Sequence, residues 1–309
     1  MLVTLAGGVG AARFLTGLIR VVPPKDCVAV VNVADDVELH GLWVSPDLDT
    51  VTYTLAGAID PERGWGLAGE TWHAMEALRR YGGVTWFNLG DRDLATHLYR
   101  THRRREGASL SEVTREIASA WGLDVRLLPV SDDRVETRVT LAATGDEINF
   151  QEYFVKHRHE VAVSGVRFVG VESASPAPGV LDAIAAADVV VIAPSNPIVS
   201  IGPVLAVPGV RDAVAARRDR TVAVSPLVGG AALKGPADRM LAELGHEPSV
   251  VGVARLYRDV ASVLVVDEAD AHLAPAVEAE GVRCVVTDTI MASPERAAAL
   301  ASVVLQACR

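Results

Sequence analysis

Hydrophobic positions along the chain fall into two kinds of run. Short, mainly apolar stretches at Leu2–Ala6, Val28–Val31 and Val189–Ile192, and near 221–225, 263–267 and 283–287, show little polar alternation. That pattern predicts strands buried on both faces, as in a parallel sheet covered by helices. Between them, apolar residues recur at helical spacing. Phe14, Leu15, Leu18 and Ile19 mark a helix over 11–20 that Pro23-Pro24 ends. Trp72, Met75 and Leu78 mark another over 71–81. Ser109-Leu110-Ser111-Glu112 fits a capping box, followed by Val113, Ile117 and Trp121 on one face and Gly122 as a stop. Helices are also expected at 179–187 and at 236–244, the second with Pro236 in its first turn and Gly245 beyond its end. Residues 134–141 alternate and 161–171 are β-rich. The opening strand–helix–strand order predicts an α/β fold with a doubly wound, mainly parallel, Rossmann-like sheet. The whole chain, 1–309, then reads as a single α/β domain. About 58–170 forms an inserted helical and strand-rich subdomain.

Polar residues gather where these strands end. Gly7-Gly8-Val9-Gly10 follows the first strand and precedes a helix. Glycines there let backbone N–H groups approach a phosphate, and a helix start adds partial positive charge. The G-G-x-G spacing is neither the dinucleotide fingerprint nor the phosphate loop with its Lys-Ser/Thr. A tight turn that only packs helix on strand would use the same glycines. Arg13, one turn into the helix, is placed to add a charge. Asn32, Asp35 and Asp36 follow the second strand, and Asp47-Leu48-Asp49 come soon after in a Pro-led loop. Clustered carboxylates beside a phosphate site suit a divalent cation; they also suit turns and caps. Asn88-Leu89-Gly90-Asp91-Arg92-Asp93, with Thr96 and His97, forms a polar turn before a helix. There Arg92 is fitted to grip an anion or carbonyl, and a lone histidine is more often structural. Pro194-Ser195-Asn196-Pro197 and Ser200 follow an all-apolar strand, where open α/β sheets place ligands. Ser225 to Gly230 and Lys234-Gly235-Pro236 repeat the pattern.

Composition narrows the classes. A net charge of −10 argues against non-specific nucleic-acid binding, which rests on many Lys/Arg–phosphate contacts. Cys27, Cys284 and Cys308 are scattered, with no CxxC pair, so reduced thiols in a cytoplasmic protein are expected. The N-terminal apolar stretch is too short for a signal peptide, and no apolar run reaches the roughly 18 residues of a membrane span. No Gly-x-Ser-x-Gly elbow or activated nucleophile stands out. Direct transfer between bound substrates, by positioning and charge, is the favoured chemistry. A regulatory nucleotide-binding module and a Rossmann oxidoreductase are the rival readings. The glycine spacing counts against the second, although Asp35 is placed about where a ribose-binding acid would be.

Taken together, Thr4 to Phe14, Pro46-Asp47-Leu48-Asp49-Thr50, Asn88 to His97, Pro194 to Pro197 and Gly229 to Asp238 are similar to motifs of the 2-phospho-L-lactate transferase family, in the same order and over nearly the whole chain. Ala11 departs from the pattern, standing where a third glycine is expected. The resemblance implies a magnesium-dependent transferase of coenzyme F420 biosynthesis. It implies a guanosine diphosphate carrying a phospholactyl or enolpyruvyl acid as donor, the deazaflavin Fo as acceptor and GMP as leaving group. A homodimer is the implied assembly. On that reading Asp36 and Asp49 are the catalytic acids and hold the magnesium, or one of them, such as Asp49, instead takes the proton from the attacking hydroxyl. Gly8, Gly10 and Arg13 meet the phosphates. Ser195 and Asn196 bind the nucleotide portion, and Arg92, with Asp49, faces the deazaflavin. Asn32, His97, Ser200 and Lys234 are further substrate-binding residues. Another nucleotide-diphosphate-dependent transferase would need the same loop and metal with a different acceptor.

Overall fold

Seven parallel strands form the central sheet of the computed structural model, which describes residues 1–308. They are β1 (Leu2–Ala6), β2 (Cys27–Val31), β3 (Arg126–Pro129), β4 (Val189–Ile192), β5 (Thr221–Val224), β6 (Val263–Val266) and β7 (Arg283–Val286). Across the sheet they run β7-β6-β5-β4-β1-β2-β3. β1 lies in register with β2 on one side, Leu2 opposite Cys27 and Ala6 opposite Val31, and with β4 on the other, Leu2 opposite Val189. All five residues of β1 and of β2 are buried. Helices cover the sheet, which is why these strands read as apolar runs without alternation. The chain winds outward from β1 to β2 and β3, then returns to β4 on the far side of β1. The carboxyl ends of β1 and β4 therefore flank a topological switch point, where open α/β sheets form ligand crevices.

Five helices surround the carboxyl edge near β1 and β2: α1 (Gly8–Val21), α2 (Pro46–Leu55), α3 (His73–Arg80), α4 (Asp93–Arg105) and α5 (Leu110–Ala120). The capping box at α5 is present, with the Ser109 hydroxyl accepting from the Glu112 N–H. Two sequence expectations change. Asp47 and Asp49 are not in a loop but in the first turn of α2, where Pro46 and the acids suit a helix start. The segment read as an insertion over about 58–170 is interrupted, because α5 and β3 return the chain to the edge of the main sheet beside β2. What stands outside the sheet is split around them. A hairpin, Val37–Leu39 with Leu42–Val44, packs with α3 on its own core of Leu39, Val44, Met75 and Leu89. A three-stranded antiparallel sheet (Glu136–Leu141, Glu147–Asn149, Val163–Val169) packs on Phe150, Tyr153 and Met240. No helix among the described residues is long and apolar enough to cross a membrane.

Helix α1 lies close against the helix Pro294–Ala307 because Gly17 has no side chain. A methyl group on Gly17 would overlap the Ala297 carbonyl. Alanine normally favours a helix over glycine by about 1 kcal/mol. Here the clash should outweigh that gain, and Gly17→Ala is expected to destabilise by roughly 1–3 kcal/mol. Thermal melts would check this; an unchanged or higher midpoint would contradict the close packing.

Candidate active site

The glycine segment meets the loop after β4 at the switch point. Ser195 is buried and donates its hydroxyl to the Gly7 carbonyl at 2.8 Å. A side chain on Gly10 would overlap the Pro194 carbonyl oxygen, and one on Gly7 would stand 2.7 Å from Ser200 Cβ. Gly7 and Gly10 are thus needed for backbone to approach backbone. Gly8 differs. It adopts a left-handed φ of +69°, and a methyl group there would meet only Asp47 Oδ1, at 3.6 Å. Helix α1 begins at Gly8 rather than at Ala11, so the segment is a helix start more than a loop.

Around that helix start lie buried acids. Asn32 is fully buried and its amide donates to Asp35 Oδ2 at 3.2 Å and Asp47 Oδ2 at 3.0 Å. Its own side-chain oxygen accepts from the Ala34 N–H, which fixes the amide's direction. Burial pushes Asp47 up to about 6, against hydrogen bonds from Asn32 and the Gly8 N–H. Burial, then the charge of Asp47, pushes Asp35 well above the usual carboxylate range. Asp36 Oδ2 accepts from Ser45 Oγ at 2.6 Å and from Trp43 Nε1 at 2.8 Å. Burial still pushes Asp36 up to about 7. Asp35 Oδ1 and Asp36 Oδ1 are buried without a partner.

A second group of charges comes from α4. Asp93, His97 and Arg100 are buried on one helical face. Arg100 grips both oxygens of Asp49 and faces Asp36 as well. Burial raises Asp49 above its usual range, against the charges of Arg100 and His97. Asp93 accepts from the Tyr53 hydroxyl at 2.6 Å. Burial would raise Asp93, but His97, Tyr53 and Arg100 outweigh it and hold its carboxyl below the usual range. Asp49, Asp93 and His97 each offer a ligand atom within 4.8 Å of the others, a set of metal-ligand type. Asp49, Tyr53, Trp65, Phe87, Asp93 and His97 line a small cavity of about 60 Å³ between α2 and α4.

The residues expected from sequence thus separate. Gly8, Asn32, Asp36, Asp49 and His97 lie in or beside this acid cluster, and Ser195 and Ser200 wall the Gly7 side. Asn196 spends its side-chain oxygen on the Ile198 and Val199 N–H groups, capping the turn after it. Arg92 is exposed, and its guanidinium binds the Ala68 carbonyl. Lys234 is exposed beside Gly64. Arg13 is exposed on α1. Asp91 accepts from the His73 and Ala74 N–H groups and so caps α3. Sequence reading missed Arg100 and Tyr53. The signal for Arg100 lay in the spacing of Asp93, His97 and Arg100, which share a helical face.

Buried acids with raised proton affinity carry a stability consequence. Below about pH 4 Asp36 is protonated folded and unfolded alike. As pH rises toward about 7 the folded state retains the proton that the unfolded state has lost. Stability of the metal-free protein should therefore fall over that window, by up to roughly 4 kcal/mol from this group. Asp36→Asn should flatten the fall. Urea melts in chelator between pH 5 and 8 would measure it; a wild-type slope no steeper than the variant's would contradict it.

Comparison with known proteins agrees with this architecture. The family model for 2-phospho-L-lactate transferase CofD matches residues 2–305. A protein of Kitasatospora aureofaciens named phosphoenolpyruvate transferase is 48% identical, over 98% of this chain and 96% of its own. Proteins of the same name from Streptomyces coelicolor and Mycolicibacterium smegmatis are 47% and 42% identical, over 97% and 96% of this chain and 95% of each of theirs. Among solved structures, protein BH3568 of Bacillus halodurans shares the fold with a TM-score of 0.66 at 17% identity, each chain covered to 98%. The sheet, the site at its switch point and the match along nearly the whole length place this chain in the CofD family of 2-phospho-L-lactate transferases.

Proposed function

We propose that the protein transfers a phosphoenolpyruvyl group from its guanosine diphosphate-linked donor to the ribitol hydroxyl of the deazaflavin Fo. GMP is released and the dehydro form of the first F420 intermediate is made. One observation carries the reading: the helix start at Gly8 meets Asp47 at the sheet's switch point, with Asp35, Asp36 and Asp49 buried in the same stretch of chain. A diphosphate beside Asp35 and Asp47 would be repelled unless a cation lay between them. The enolpyruvyl acid is preferred over lactyl because relatives at 42–48% identity bear that name.

Magnesium fits the donor set. It takes oxygen ligands, one or two of them carboxylates, with substrate phosphates and water completing the shell. Asp36 Oδ1 is buried and unpartnered. Asp36 and Asp49 are the residues assigned to hold the ion, Asp49 sharing its oxygens with Arg100. Held there, magnesium would supply neutralisation of charge on the transferring phosphoryl group. The chain's own groups do the rest. The α1 dipole favours phosphate oxygens at the helix start, where the Gly8 N–H is shared with the Asp47 carboxylate. Ser195 and Ser200 shape the wall beside the nucleotide through their contacts with Gly7. The cavity edged by Tyr53, Trp65 and Phe87 offers aromatic faces toward the deazaflavin, next to Asp49.

Incubating the protein with Fo, magnesium and each donor in turn should yield a phosphorylated deazaflavin, resolved by mass. The enolpyruvyl product is expected, and the lactyl product differs from it by two hydrogens. No such product with either donor would refute the proposal. Asp49→Asn is expected to lower kcat by about 10²–10³. Near-normal turnover would remove Asp49 from the catalytic acids.

A further inference from the structure

Arg100 is a charge that the proposed phosphoryl transfer does not by itself call for, yet it is only 2% exposed. A buried guanidinium is costly unless its N–H groups are matched. Here each partner is specific. Nη2 and Nη1 take the two Asp49 oxygens, the second at 3.2 Å. Nη1 also reaches His97 Nδ1 at 3.3 Å and the Trp43 carbonyl at 3.4 Å. For Nδ1 to accept, the ring proton must sit on Nε2, which faces Asp93 Oδ2 at 3.4 Å. Asp93 in turn holds the Tyr53 hydroxyl. A buried line of contacts therefore runs from Tyr53 on α2 through α4 and back to Asp49 on α2, its His97–Asp93 step a close approach rather than a hydrogen bond.

We propose that Arg100 is the positioning residue for Asp49. Its two-pronged grip fixes the plane in which that carboxylate meets the reacting groups, and the Asp93–His97 pair sets the angle of the fork. The inference rests on the function proposed above. It separates geometry from charge. A lysine at this position would keep the positive charge but offer a single point of contact, so it would not hold the plane. A merely structural ion pair would tolerate that exchange once the protein had folded.

The test compares Arg100→Lys and Arg100→Met with the wild type. It reads kcat and KM for the deazaflavin and the donor, and the melting shift produced by magnesium with GDP. Arg100→Lys is expected to fold and to keep each KM within about threefold. Its kcat should fall about 10–100-fold, the size of loss expected from misplacing a reacting group. Arg100→Met should lose more. Wild-type kcat in Arg100→Lys, or a raised KM with kcat unchanged, would overturn the proposal. If Arg100→Met does not fold, His97 variants decide. His97→Gln keeps an acceptor for Arg100 and should retain more turnover than His97→Leu; equal losses overturn the line of contacts. Should the wild type itself fail to turn over these substrates, the reading of function falls, and the melting shift then judges Arg100 alone. A smaller shift in Arg100→Lys supports the proposal, and an equal one overturns it.

Discussion

Negative charge buried at the carboxyl edge of the sheet is the constraint around which this site is arranged. Asp35, Asp36, Asp47 and Asp49 are all shielded from solvent within a short stretch of chain. Such a cluster survives folding only if each charge is shared, compensated or protonated. The protein uses all three means. Asn32 divides its amide between Asp35 and Asp47. Arg100 compensates Asp49. Asp36 meets Ser45 and Trp43, and its affinity for a proton rises into the neutral range. One oxygen each of Asp35 and Asp36 is left without a partner, a rarity among buried polar atoms.

That arrangement depends in turn on backbones coming unusually close. Gly7 and Gly10 let the β1–α1 turn rest on the Pro194–Ser200 segment, and Gly17 lets α1 lie against the C-terminal helix. The position of α1 decides where its N-terminus points. α1 also packs on α2, which carries Asp47 and Asp49. Fold and site are thus coupled through glycines whose role is to be absent as side chains. Of the three glycines at the turn, Gly8 alone meets no backbone atom, standing in ordinary contact with Asp47. The packing part therefore falls to Gly7 and Gly10, and the left-handed turn at the helix start to Gly8.

Much of the layout was legible from the chain. Six of the seven sheet strands announce themselves as apolar runs, and the polar residues just past them mark the ligand edge. β3 did not, because Arg126–Pro129 follows a helix in a segment whose later strands belong to a separate antiparallel sheet. Local pattern cannot say which sheet an edge strand joins. Asp47 and Asp49 read as loop residues since Asp and Pro serve turns and helix starts alike. Arg92 was a fair candidate by type, and only the fold shows it turned outward to the Ala68 carbonyl.

By itself, then, the sequence determined the α/β class, the parallel sheet, the glycine and acid segments and their order. These follow from periodicity and residue type, which are properties of neighbouring positions. Tertiary structure decided which acids share a donor, which glycines let backbones meet and which cation is buried. Arg100 and Asp49 are far apart in the chain and meet because α4, packed on the Val37–Val44 hairpin, turns its buried face toward α2. Such pairings are set by how helices dock on a sheet edge, and no local pattern encodes that distance.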